Sequence, residues 1–273
     1  MEHHNKQVEG TERLFRFQAA HYRLPDSFDG FVYQGQLVQA EALKFAVEHW
    51  RRRKFRTAGS LFWQLNDCWP VSSWAVIDSS LQPKAAYFYS KRFFAPLLVS
   101  FRKTPKAIEL WGTSDLLRPL SGLLTVELKS FRGKRVWRKS TSVTISANSS
   151  QRMLDINPES YKGIDLRAHY LHATLSVRGE EMSDNRFFFV EPKHMELPPA
   201  KISSHVRRIS PGVLQIALRS GTFAKNVRLE VPGTNARFDD NYVDLEARKT
   251  VRIMITCTEN LGKVKKRLTV RSL

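Results

Sequence analysis

Apolar residues recur at three- and four-residue spacing over the first third of the chain and at two-residue spacing over the rest. From Glu9 to Tyr22, Leu14, Phe15, Phe17 and Tyr22 stand among charged residues, as on an amphipathic helix. After Leu24-Pro25-Asp26-Ser27-Phe28, where Asp26 or Ser27 can cap, a second helix is predicted to about Arg53. Its Ala40, Leu43, Val47 and Trp50 form one stripe, with Glu48 and Arg52 an i,i+4 pair on the wet side. The cluster Arg51-Arg52-Arg53-Lys54 suits a helix C-terminus, where free carbonyls carry partial negative charge. Leu61-Phe62-Trp63 is apolar without alternation, which predicts a strand covered on both faces. Pro83 opens a third helix, Lys84 to Phe94. This order belongs to an α/β fold, but one strand is not a sheet, and residues 1–95 cannot close a barrel alone.

Beyond Ala95-Pro96 the period changes to two. LLVSFRK, AIELWGT, GLLTVELKSF, KRVWRK and AHYLHATLSV read as strands, with a hairpin turn at Phe131-Arg132-Gly133-Lys134. In the last of these runs Leu171, Ala173, Leu175 and Val177 face one way, and Tyr170, His172, Thr174 and Ser176 the other. Strands at this spacing, without helices, predict a β-sandwich over residues 96–192, closed by RFFFV near Val190. Glu191 to Ala200, with three prolines, reads as a linker. A second, smaller sandwich over residues 193–273 follows from PGVLQIALRSG, KNVRLEVPG, the turn region RFDDNY, KTVRIMITC and KKRLTVRSL. Its Lys and Arg residues suit edges that must not pair with other chains.

Composition adds a basic bias. The 273 residues carry a formal charge of +18, and residues 201–273 hold 15 basic against 6 acidic residues, half of the surplus. The run Lys263 to Arg271 reads as a solvated strand with Val264, Leu268 and Val270 interleaved. A basic face can meet a polyanion, but no aromatic stacking platform or nucleic-acid motif accompanies it, so no specific nucleic-acid partner is expected. Cys68 and Cys257 lie far apart and form no metal-ligand pattern. His169 and His172, three apart on a strand, point to opposite faces, and the adjacent His3 and His4 are poor chelators. No apolar run reaches membrane-spanning length, and the N-terminus lacks the apolar core of a signal peptide, so no membrane partner is expected and localisation stays open.

Candidate chemistry concentrates in Ala58 to Asp78, AGSLFWQLNDCWPVSSWAVID, which holds three of the six tryptophans. An indole face stacks on the C–H face of a pyranose, and Asn and Asp bond its hydroxyls. Trp63 and Asp67 are therefore candidate sugar contacts, with Trp69 and Trp74 second. The competing reading has the tryptophans packing the loop and Asp67 and Asp78 capping turns.

FWQLNDCWPVSSWAVID, followed by QPKAAYFYSKRFFAPLLVSF, resembles the β-mannosidases of glycoside hydrolase family 2. RLPDSFDGFVYQGQLVQAEALKFAVEHWRRRK and FDDNYVDLEARKTVRI are similar to further segments of that family. The resemblance implies that residues 1–95 are the C-terminal end of a TIM (β/α)8 barrel, followed by two immunoglobulin-like β-sandwich domains. It implies retaining hydrolysis of terminal β-D-mannosides by the whole enzyme, with Trp63 lining the mannose subsite and Asn66, Asp67 and Trp69 bordering or supporting it. That chemistry needs two carboxyl groups about 5–5.5 Å apart. The family carries them as glutamates on the fourth and seventh barrel strands, before the segment that this chain matches. No catalytic residue is therefore assigned here, and the chain alone is expected to be inactive. No metal or organic cofactor is implied, and the preceding part of the barrel is the expected partner. The alternatives are a non-catalytic carbohydrate-binding β-sandwich and a polyanion-binding basic domain.

Overall fold

The computed structural model describes residues 1–5 and 7–273. They divide into two compact units, Met1–Lys129 with Arg135–Met195, and Ser130–Lys134 with Glu196–Leu273.

The first unit begins with helices α1 (Gly10–His21), α2 (Phe28–Arg52) and α3 (Ala85–Phe93). Ser27 is the cap of α2, its Oγ accepting the Gly30 N–H at 3.1 Å. Helix α3 packs on α2, where Gln36 Oε1 accepts the free Ala85 N–H and Tyr89 Oη donates to Glu41. Arg51 donates to the Phe93 and Ala95 carbonyls, 2.7 Å each. The basic residue at the end of α2 thus satisfies the C-terminal carbonyls of α3, where a cation is favoured.

Seven strands follow: β1 (Leu97–Lys103), β2 (Ile108–Ser114), β3 (Leu120–Ser130), β4 (Arg135–Ile145), β5 (Ser150–Ile156), β6 (His169–Val177) and β7 (Glu180–Phe188). They form antiparallel sheets in the orders β1-β2-β5 and β4-β3-β6-β7. Leu97, Val99 and Phe101 of one sheet share a core with Leu124, Val126, Leu171 and Ala173 of the other, which makes a sandwich. Gly133, at φ +86°, turns the β3–β4 hairpin.

In the second unit β8 (Ile202–Ser210), β9 (Val213–Ser220), β10 (Ala224–Glu230), β11 (Arg237–Phe238), β12 (Val243–Leu245) and β13 (Thr250–Thr256) precede α4 (Leu261–Arg267) and β14 (Thr269–Arg271). The sheets run β11-β13-β9-β8 and β12-β10-β14 around Leu214, Ile216, Leu229, Leu245 and Ile253.

Several expectations from the sequence are corrected. Leu61-Phe62-Trp63 is not a strand and is not buried on both faces; Leu61 is 98% and Trp63 74% exposed. No adjacent strand among the described residues bonds its backbone, and without a neighbour an apolar run forms no ladder. Glu48 and Arg52 are buried rather than wet, and Trp50 is exposed. Phe15 and Phe17 of α1 are exposed too, while Gln18 is buried. On β6, Tyr170 and His172 are buried along with the core face, so both faces are covered. The run from Lys263 is helical: Asn260 Oδ1 accepts the Lys263 N–H at 2.9 Å and starts α4, which lays Val264 on the core. Edge strands β5 and β8, rich in polar residues, lacked the alternation that marked their neighbours.

Candidate functional site

Residues 64–67 run alongside residues 75–78. Val76 N–H donates to Gln64 O at 3.1 Å, Ile77 N–H to Leu65 O at 2.9 Å and Asp67 N–H to Ile77 O at 3.1 Å. The pairing is parallel, with a bridge between Asn66 and Ile77, and Lys84 N–H donates to Val76 O at 2.9 Å. The start of α3 is thereby tied to the same loop. The Trp63–Gln64 peptide is cis.

Asp67 is the buried anchor of this loop. Its Oδ2 accepts from Lys84 Nζ at 3.0 Å and its Oδ1 from Ser73 Oγ at 2.6 Å. Ser73 Oγ in turn accepts the Ala75 N–H at 3.0 Å. The partners offset the cost of burying a charge, and they occupy both carboxylate oxygens. Asp78 is also committed: its Oδ1 accepts the N–H groups of Ser80 and Gln82, 2.8 Å each.

Asn66 lies exposed beside this anchor, its Nδ2 donating to the Asp67 carbonyl at 3.3 Å. The Trp63 indole is exposed, with Leu61 and Leu65 exposed on the same extended segment. Trp69 is half-buried against the N-terminus, stacked on His4 at 5.6 Å between ring centroids. Ser72 N–H donates to His4 O at 2.8 Å. The structure therefore brings Asn66 and Asp67 onto one loop segment and turns Trp69 to His4. It also supplies three residues that the sequence did not tie to this stretch as contacts, His4, Ser73 and Lys84. Lys84 alone carried a signal, following Pro83 at a helix start, and that signal concerned the helix rather than Asp67.

Chemically, the stretch offers an indole face and an amide, while its two carboxylates hold backbone and neighbouring side chains in place. Among the described residues no group of three or more His, Cys, Asp and Glu side chains is arranged for a metal. His169 and His172 have separate partners, the Asp165 carbonyl at 2.7 Å and Asp184 Oδ2 at 3.3 Å.

Residues 106–194 match the family described as a mannosidase Ig/CBM-like domain, and residues 197–273 match one described as an Ig-fold domain. The class is therefore that of the paired immunoglobulin-like domains of a glycoside hydrolase. A β-D-mannosidase crystal structure from Dictyoglomus thermophilum superposes on the entire chain with TM-score 0.91 and 33% identity, over 33% of its own length. Beta-mannosidase B from Aspergillus niger is 31% identical over 199 residues, 66% of this chain and 24% of the relative. The namesake from Thermothelomyces thermophilus is 28% identical over 288 aligned positions, 93% of this chain and 33% of the relative. The chain belongs to the β-mannosidases of glycoside hydrolase family 2, as a C-terminal portion. It spans about a quarter to a third of the length of these relatives. An exo-chitosanase from Amycolatopsis orientalis, at 15% identity and TM-score 0.75 over 98% of this chain and 37% of its own, shares the fold.

Proposed function

We propose that this chain supplies one wall of the sugar pocket, and two β-sandwich domains, to a retaining β-mannosidase that releases terminal non-reducing β-D-mannose. The observation that carries this reading is the likeness along the full chain to the Dictyoglomus β-D-mannosidase, helices and Trp63 stretch included. On this reading residues 1–95 end a (β/α)8 barrel, and residues 96–192 and 193–273 are the two sandwiches. Leu61, Trp63 and Leu65 stand exposed, as apolar side chains do where a neighbouring surface belongs. Barrel strands preceding this chain would cover Leu61 and Leu65.

Trp63 then stacks on the apolar face of the mannose ring, and Asn66 bonds a hydroxyl. Asp67, held by Ser73 and Lys84, fixes the loop that carries them. Trp69 borders the site. By the resemblance to the family, the nucleophile and the acid/base are glutamates of the fourth and seventh barrel strands, and the two aspartates of this stretch hold the loop instead. Double displacement by such a pair needs no metal or organic cofactor.

The test is turnover of a chromogenic β-mannoside. The chain alone at micromolar concentration is expected to give none, whereas a longer polypeptide that carries it and completes the barrel is expected to give full activity. In that longer protein, Trp63→Ala should lower kcat/KM by about 10- to 100-fold, the loss of about 1.4–2.8 kcal/mol of transition-state binding. Robust turnover by the chain alone, or unchanged kcat/KM in Trp63→Ala, overturns the reading.

A further inference from the structure

A second cleft lies in the first unit, between the end of α2 and the outer side of β1 and β2. It has a volume of about 350 Å³ and is lined by His49, Arg52, Arg53, Lys54, Arg56, Arg102 and Trp111. No carboxylate lines it, although five permanent cations do. The nearby acids are occupied. Asp115 pairs with Arg51 and Lys54. Glu109 accepts from Trp111 Nε1 at 2.8 Å and faces Arg102 and Arg152 at 3.7 and 3.5 Å. Glu48 faces Lys44 and Arg52 at 3.3 and 3.7 Å and accepts from Asn185.

Arg52 is the unusual member. Its side chain is 7% exposed, yet Nε and Nη1 make no hydrogen bond. Those two groups are sealed from solvent and Nη1 faces Glu48, so Arg52 gives the cleft its charge, while the guanidinium edges of the exposed Arg53 and Arg56 are shaped to take the oxygens of an oxyanion. Arg53 and Arg56 have no carboxylate partner among the described residues. The crowding is also felt by His49, whose imidazole is pushed down by burial and then by Arg52, Arg53 and Arg102. Like charges gathered against an apolar wall concentrate the positive potential there.

We propose that this cleft is a binding site for a phosphate oxyanion, held by the exposed Arg53 and Arg56 and flanked by Arg52 and Arg102. The volume exceeds what the bare ion fills and falls in the range of small-molecule sites. The indole of Trp111 offers a surface for the organic part of a phosphorylated ligand. The site is separate from the Trp63 stretch, and its existence does not depend on the glycosidase reading.

The experiment titrates the full chain with inorganic phosphate and, separately, with glucose 6-phosphate, at ionic strength held constant with potassium chloride. Glucose serves as the neutral control. Saturable binding with Kd near or below about 1 mM is expected for at least one phosphate, with none for glucose. Tighter binding of glucose 6-phosphate identifies an organic phosphate as the ligand class, and equal binding identifies the free ion. Arg53→Gln/Arg56→Gln, at exposed positions, should keep the melting temperature and weaken binding at least about tenfold. The His49 imidazole should titrate at higher pH with phosphate bound, because the anion favours its charged form. Absence of saturation with both phosphates, or unchanged affinity in the double variant, overturns the proposal.

Discussion

The Asn185 side-chain amide donates to Glu48 Oε1 and to the Val99 carbonyl, 2.8 Å in each case. One buried amide thereby joins α2, β1 and β7, three elements far apart in sequence. Ser183 Oγ completes the join by accepting the Val99 N–H at 3.0 Å. An edge of the sandwich that would otherwise expose its backbone is bonded by side chains from the other sheet.

Asn185→Ala should lower the unfolding free energy by about 1–3 kcal/mol, because both acceptors stay buried without their donor. Glu48→Ala should cost more, about 3–5 kcal/mol, since it leaves the Arg52 guanidinium buried without a countercharge. Urea unfolding of the two variants beside the parent checks the order. Equal, sub-kilocalorie losses would contradict the join.

The Asp67–Lys84 pair makes a second prediction. Asp67 is buried and the Lys84 side chain is only 12% exposed, so Asp67→Ala strands the ammonium of Lys84, at a cost of about 3–5 kcal/mol if the loop does not open. Limited proteolysis should then cut within residues 64–78 well before it cuts the sandwiches. The double variant Asp67→Leu/Lys84→Met, which removes both charges, should be less sensitive than Asp67→Ala.

The pH dependence of stability has an acid arm at Asp184. Burial by itself raises this carboxyl, but Arg186, the hydrogen bond from His172 and the charge of Arg92 outweigh burial and hold it well below the usual carboxylate range. The unfolded carboxyl takes up a proton near pH 4 and the folded one only at lower pH. The contribution is therefore fully present above about pH 4 and is lost as pH falls below that value. Asp184→Asn should lower stability at pH 7 by about 1–3 kcal/mol and flatten the decline between pH 4 and pH 2. Chemical unfolding midpoints measured against pH give the comparison.

In the second unit, Val264 is the buried side chain of α4, with Leu261 partly buried against the same core. Val264→Ala should destabilise by about 1–3 kcal/mol, since Val264 is fully buried in the core. Asn260→Ala should cost about 1 kcal/mol through loss of the cap. Lys265→Ala, on the exposed side, should stay within about 0.5 kcal/mol of the parent. Thermal unfolding of the three variants is the measurement, and a large effect at Lys265 would mean that this face is covered in solution.

Strand periodicity beyond residue 97 was legible in the strands that alternate, though not in β5 and β8, because alternation reports directly which face of a pleated strand is buried. Leu171, Ala173 and Leu175 face the core as their spacing implied. The concentration of tryptophan and short polar residues between Ala58 and Asp78, and the likeness of that stretch to the β-mannosidases, were likewise properties of the sequence alone. Only the tertiary structure decided the polar contacts. Glu48 reads as a surface residue by its i,i+4 partner Arg52, yet it is buried, since Asn185 arrives from 137 positions away. Lys263 to Arg267 alternates too briefly to separate strand from helix, and the Asn260 cap together with the one core position at Val264 settled it. Local pattern fixes which side of an element can be apolar. What covers that side, and which charges find partners beneath the surface, depends on groups that only folding brings within bonding distance.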